Sequence, residues 1–460
     1  MEIGEARALA HALKELIEKA GTVIDESHPQ PELVARVTGH LGCELKDLVC
    51  VTQTFPNWEH ANLQRGMDAY LGEKAVWFGV SGHGREHNDT VNMLAVASRG
   101  FERFEIGAVD YTTAATGPDS MTEVVTLGLV LATAPDGSPV VIAMRGPAEQ
   151  FGMDDCRMEI LAASRSGAVA TRDEIERLMR AHDVFRGQIL TFGTSEHRGN
   201  RLVSFMPRPD MSADQVILPA GVLDTIERHV AGIAEHADAL RRYGQHLKRG
   251  LLLHGPPGTG KTHTVRFLMG RLPGITVIVL TGTALRFISD AAALARRLQP
   301  AVVVLEDVDL VAHDRRYSED GNPLLFMLFD AMDGIGADAD VTFVLTTNRA
   351  EVLEDALANR PGRVDLAIEV PRPDARGRRA LLELYGGHFE LAADLDDLVA
   401  RTEGVTASFF KELIRRAVLA ALRESPDLTR LTDHHLGGAL TEMMRDRESL
   451  TRTLLGSKSP

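Results

Sequence analysis

Residues 255–262 read Gly-Pro-Pro-Gly-Thr-Gly-Lys-Thr and follow directly on the apolar run Leu251-Leu252-Leu253. The pattern G-x-x-x-x-G-K-[ST] on the end of a strand admits few folds, because it needs a strand, a glycine-rich turn and a helix in immediate succession. Gly255, Gly258 and Gly260, with Pro256, Pro257 and Thr259 between them, let backbone N–H groups converge on phosphate oxygens without Cβ clashes. Lys261 can reach the β- and γ-phosphates, and the Thr262 hydroxyl can ligate Mg²⁺. Residues Thr264 to Met269 read as a helix whose N-terminal dipole points at the phosphates. Gly255 to His263 are therefore the candidate nucleotide-binding residues, and the chain is expected to take a nucleoside triphosphate with Mg²⁺.

At 460 residues the chain is too long for one ordinary core. Residues 1–200 alternate helix-like and strand-like signals and are expected to form an α+β domain. Leu48–Val51 and Ala75–Val80 look like buried strands. Thr126–Thr133 and Pro139–Met144 look like a strand pair turning at Pro135-Asp136-Gly137. Thr171-Arg172-Asp173-Glu174 has the form of a capping box opening a helix toward Ala181, and Gly187–Phe192 reads as one more strand of the same core. Leu9, Leu13, Leu16 and Ile17 fall on one face of a helix expected to pack.

Residues 201–248 read as a linker and lead-in helix. From 249 to 373 strands alternate with helices. The strands Leu251–His254, Ile275–Leu280, Ala301–Leu305, Val341–Thr346 and Leu366–Val370 are apolar on both faces, as parallel strands covered by helices are. Residues 374–460 read as a small all-α lid.

Val302–Leu305 runs into Glu306-Asp307-Val308-Asp309, which places carboxylates at the carboxyl edge of the sheet beside the phosphate loop. One acid there can hold the Mg²⁺ water shell, and its neighbour can polarise an attacking water. Asn348 ends the next strand, where it either orients water or simply forms a turn. Asn359-Arg360-Pro361-Gly362-Arg363 presents two arginines around a Pro-Gly turn. They are either a solvated basic turn or the cations that complete a neighbour's phosphate site.

Taken in order, these motifs resemble the AAA family of ATPases over residues 215–425. Gly255–Thr262 is similar to its Walker A loop, Val302–Asp309 to its Walker B strand and Asn348 to sensor 1. Arg360 and Arg363 resemble its arginine fingers, Gly404–Ala407 the start of its sensor-2 helix, and Gln215–Pro219 its adenine pocket. The resemblance implies a ring, commonly a hexamer, that binds and hydrolyses ATP at subunit interfaces to remodel, unfold or disassemble other macromolecules. Two departures stand out. The Walker B acids run Glu-Asp where most members have Asp-Glu, an inversion that resembles the Bcs-type branch. It assigns Glu306 with Thr262 to Mg²⁺ and Asp307 to the attacking water, with Asp309 able to share that role. The segment Gly282–Ser289 is shorter than the family's pore loop, and Phe287 either faces a pore or packs in a core.

The net charge of −15, from 50 Lys and Arg against 65 Asp and Glu, argues against nucleic acid as the main partner. Three scattered cysteines, Cys43, Cys50 and Cys156, predict free thiols in a reducing compartment. The acidic N-terminus lacks an export signal and no stretch spans a membrane, so the cytoplasm is expected. His83 and His87, with Asp89 nearby, lie in a glycine-rich loop and are set aside as metal ligands. There is no H-E-x-x-H, and the C-terminus lacks the hydrophobic-Tyr-any tail of proteasomal ATPases. The leading expectation is an ATPase that remodels a protein substrate recruited, directly or by an adaptor, through residues 1–200. A nucleotide-gated assembly scaffold and a DNA-directed motor are the alternatives.

Overall fold

The computed structural model describes residues 11–16, 19, 31–73, 75–82, 84–85, 88–98, 104–148, 152–194, 201–309, 323–336, 338–350 and 364–454. Arg360, Arg363, His83 and His87 lie outside the described residues. The chain divides into two compact units, Met1–Phe185 with Gly193–Phe205, and Arg186–Phe192 with Met206–Pro460.

The first unit runs α1 (Glu32–Leu41), β1 (Val49–Pro56), α2 (His60–Leu71), β2 (Trp77–Ser81), α3 (Thr90–Ser98), β3 (Glu105–Gly107), β4 (Asp110–Ala115), β5 (Met121–Thr133), β6 (Pro139–Arg145), β7 (Asp155–Ala162) and α4 (Arg165–Ala181). Its sheet has the order β1-β7-β6-β5-β2-β3, with β4 also on β5, and the pairs are antiparallel. Strand alternation builds a core on each face. Val140, Ile142 and Met144 of β6 pack with Leu63 and Met67 of α2 and Ile175 of α4. Val141 and Ala143 pack with Leu33 and Val37 of α1 and Leu94 of α3.

Strand β5 outruns β6, and α2 satisfies the exposed ladder. The Val125 N–H donates to Gln64 Oε1, and His60 Nε2–H donates to the Val125 carbonyl, each at 2.8 Å. The β5–β6 turn closes with Gly137 at φ 87° and the Ser138 N–H donating to Asp136 at 2.9 Å.

Two expectations for this region are corrected. Helix α4 begins at Arg165, capped by Ser164 Oγ, which accepts the Gly167 N–H at 3.2 Å. Thr171 is buried mid-helix, and its hydroxyl donates to the Gly167 carbonyl. The capping-box spacing of three residues is also that of one helical face, so the pattern recurs inside a helix. Leu13 and Leu16 are 60% and 68% exposed rather than packed, while Leu9 and Ile17 lie outside the described residues.

The chain continues through β8 (Ile189–Thr194), β9 (Arg201–Met206), α5 (Val222–Glu235), α6 (Ala237–Arg242), β10 (Arg249–His254), α7 (Lys261–Arg271), β11 (Thr276–Thr281), α8 (Ile288–Arg297), β12 (Ala301–Glu306), α9 (Pro323–Asp333), β13 (Val341–Thr347) and β14 (Leu366–Glu369). In the second unit β14, β10, β13, β12, β11 and β8 lie side by side in that order, all parallel. Here the strand at Gly187–Phe192 corrects the sequence expectation. It does not belong to the N-terminal core; Ile189 pairs with Val277 and Leu190 with Ile278 of the parallel sheet. Ile189, Leu190 and Phe192 are all buried, which suits a strand covered on both faces.

At the amino ends of β10 and β13, Arg249 donates to Asp340 Oδ1 (2.8 Å), to the Leu247 carbonyl (2.8 Å) and to the Val230 carbonyl of α5 (2.9 Å). This buried ion pair ties α5 and two strands together below the sheet.

The lid comprises α10 (Ala375–Gly386), β15 (Glu390–Ala392), α11 (Leu395–Arg401), α12 (Ala407–Glu424), β16 (Arg430–Thr432) and α13 (Asp433–Leu454) around Leu382, Phe410, Leu413, Leu431 and Leu436. It is not wholly helical, because β15 and β16 pair in parallel, Leu391 opposite Leu431. Strands of three residues carry too little periodicity to be seen in sequence.

Candidate nucleotide site

The loop between β10 and α7 turns at Gly255 (φ 139°), Gly258 (φ 77°) and Gly260 (φ 117°), conformations that only glycine adopts at little cost. Gly258 has a second reason to be glycine. A Cβ there would collide with Ser408 Oγ of α12, and the Ser408 N–H donates to the Gly258 carbonyl at 3.0 Å. The lid helix is thus seated on the loop itself.

Lys261 starts α7, is 5% exposed, and donates to the carbonyls of Gly255 (2.8 Å) and Pro256 (3.0 Å) and to Asn348 Oδ1 (2.8 Å). Asn348 Nδ2 in turn donates to Asp307 Oδ1 at 3.3 Å. A single amide therefore links the phosphate-loop cation to the carboxylate at the end of β12. Burial pulls the Lys261 ammonium below its ordinary range, against the opposing pull of Asp307 and Asp309. Burial, then the neighbouring Asp307 charge, pushes Glu306 above the usual carboxylate range, opposed by a hydrogen bond from Thr262 and by Arg266.

Thr262 and Glu306 are hydrogen-bonded neighbours, a hydroxyl and a carboxylate of the hard oxygen type that suits Mg²⁺. The glycine turns fit phosphate. Gly258, Gly260, Lys261, Thr262, Asp307 and Asn348 line a cleft of about 400 Å³ whose walls also include Val216, Ile217, His263, Tyr385 and Lys411.

Residues 251–372 match the family described as "ATPase family associated with various cellular activities (AAA)". The chain carries an AAA ATPase domain. It is 31% identical over 275 residues to the ATP-dependent zinc metalloprotease FtsH of Mycobacterium bovis, covering 55% of this chain and 35% of that protein. It is 32% identical over 215 residues to the proteasome-activating nucleotidase of Methanocaldococcus jannaschii, covering 43% of this chain and 50% of that one. The ATP-dependent zinc metalloprotease FtsH 3 of Sphaerobacter thermophilus is 31% identical over 240 residues, 49% of this chain and 48% of that protein. The chain therefore spans a third to a half of these relatives' length.

Within the AAA domain the structure brings Gly255–His263, Glu306, Asp307 and Asn348 together at one mouth of the sheet. His263 Nε2–H donates to the Gln215 carbonyl at 3.0 Å, which holds the 215–218 segment against α7 as one wall of the cleft. Asp309 props Asn348 rather than sharing the role of Asp307. It is buried, and its Oδ1 accepts from the Thr347 hydroxyl (2.9 Å) and the Asn348 N–H (3.0 Å). Phe287 is 7% exposed and packs 6.0 Å from the Phe192 ring, with Arg286 over its face. It is a core residue, not a pore residue.

Sequence reasoning missed Leu381, Tyr385 and Lys411, which reach the cleft from the lid. Lys411 lies one turn beyond Ala407 on the same helical face, a spacing that could have flagged it. Among the described residues no helix is long and apolar enough to cross a membrane.

Proposed function

We propose that this chain hydrolyses ATP to remodel, unfold or disassemble a protein substrate, working as a ring of protomers, six by family analogy, in the cytoplasm. The observation that carries this reading is the Lys261–Asn348–Asp307 chain of hydrogen bonds at the mouth of the phosphate loop. It joins a phosphate-binding cation to a carboxylate suited to polarise water. In this reading Lys261 engages the β- and γ-phosphates, Thr262 and Glu306 hold Mg²⁺, Asp307 takes a proton from the attacking water and Asn348 orients it. Bound Mg²⁺ would supply counter-charge to the phosphate oxygens. Arg360 and Arg363 act on the neighbouring protomer's nucleotide. The N-terminal region, residues 1–185, recruits the substrate or an adaptor, residues 249–373 together with strand β8 carry the motor, and 374–460 move with the nucleotide. The relatives' names, an ATP-dependent protease and a nucleotidase that activates the proteasome, support a protein rather than a nucleic acid as substrate.

Lys261→Ala is expected to weaken ATP binding by roughly 10- to 100-fold, as loss of a buried charge-assisted contact does. Titration with a fluorescent ATP analogue checks this, and unchanged affinity would move the nucleotide elsewhere. Mixing tests the ring. Arg360→Ala protomers should poison parental ones, so that ATPase activity falls faster than the parental fraction; a linear decline would mean independent sites. Protein remodelling itself is tested by adding an unfolded protein or duplex DNA to the ATPase assay. Stimulation by DNA alone would point to a DNA motor.

One observation favours a second reading, a nucleotide-gated assembly scaffold. With Phe287 in the core, the 282–287 segment offers no aromatic for gripping a threaded chain. Slow turnover that no added protein stimulates would favour the scaffold.

A further inference from the structure

We propose that Thr346 is a positioning residue for ATP hydrolysis, its hydroxyl fixing the backbone turn that brings the Asp307 carboxylate into the cleft. The inference rests on the reading of Asp307 as the water-polarising acid.

Adjacent residues of an extended strand point to opposite faces. If β12 continued straight, Glu306 and Asp307 would diverge, one toward Thr262 and the other away. Instead Asp307 has φ 51°, the one positive-φ residue other than glycine among the described residues. The left-handed region disfavours L side chains, by roughly 1–2 kcal/mol in general and less for Asp and Asn. Something must therefore hold the turn.

Thr346 does. It is fully buried in β13, and its Oγ1 accepts the Asp307 N–H at 2.9 Å. β12 and β13 are in register up to the Leu305–Leu345 pair, so this side chain takes over where the ladder ends. Without it, an amide released by the turn loses its partner. The result is that Glu306 bonds Thr262 while Asp307 lines the cleft and accepts from Asn348. The acid at 307 is one methylene shorter than the glutamate most of the family places there, so its backbone must supply the reach. A displacement of about 1 Å in a catalytic group can lower a rate about 100-fold.

The test compares the parent with Thr346→Val, Thr346→Ser, Asp307→Asn and the double variant Thr346→Val/Asp307→Asn. Valine keeps the shape of threonine and removes the hydroxyl. Thr346→Val should lower kcat about 10- to 100-fold with ATP affinity near parental and a melting temperature lowered by no more than a few degrees, the cost of one unpaired amide. Thr346→Ser should restore most of the turnover. The double variant should be no slower than Asp307→Asn alone, since both changes disable one group. Parental turnover in Thr346→Val would overturn the proposal. So would losses that multiply in the double variant, or a fall in affinity and melting temperature shared by the Val and Ser variants. An active Asp307→Asn would instead remove the underlying reading of Asp307. A dead Asp307→Asn beside a fully active Thr346→Val would remove this inference alone.

Discussion

An Asp307→Asn protein is expected to bind ATP with near-parental affinity and hydrolyse it roughly 10²- to 10⁴-fold more slowly, the range for loss of a positioned general base. The two side chains have the same shape, and asparagine tolerates a left-handed backbone about as well as aspartate does. An amide oxygen can still accept the Asn348 Nδ2 hydrogen bond seen at 3.3 Å. The substitution therefore removes negative charge and basicity with little else disturbed. Asp309 is poorly placed to take over, because its Oδ1 already holds the Thr347 hydroxyl and the Asn348 amide. Steady-state ATPase rates alongside nucleotide-binding titrations make the comparison. Turnover within threefold of the parent would show that Asp307 is not the acid that activates water.

The second large effect is on stability. Asp340→Ala should lower the unfolding free energy of the parallel-sheet unit by about 3–5 kcal/mol, the usual consequence of stranding one charge of a buried pair. The side chains of Arg249 and Asp340 are 3% and 6% exposed, so water cannot replace the lost partner. Arg249 would keep its bonds to the Leu247 and Val230 carbonyls, but these leave its charge uncompensated. Replacing both residues with apolar ones of similar volume, Arg249→Met with Asp340→Leu, should recover most of the loss. Urea unfolding of the three variants and the parent tests this. A loss below 1 kcal/mol in Asp340→Ala would mean that the site relaxes or hydrates readily.

The nucleotide loop, the Glu306–Asp307 strand end and the existence of the parallel strands β10 to β14 were legible in the sequence because each depends on residues adjacent in the chain. Gly255, Gly258 and Gly260 answer a local backbone demand, and the buried strands carry apolar residues on both faces. What the chain could not reveal by itself are the pairings between segments far apart. Only the fold shows that Ile189 and Leu190 belong beside Val277 and Ile278 rather than in the N-terminal core. Their apolar pattern suits either sheet, and strand propensity does not name a partner. Phe287 reads equally as a pore residue or a core residue until the Phe192 ring is found against it. Lys411 and Tyr385 enter the cleft, and the Thr346 hydroxyl caps the Asp307 amide, through contacts across 39 to more than 100 positions of sequence. Local rules specify which chemistry a segment can carry, whereas its aim depends on what packs against it, and packing is a property of the folded chain.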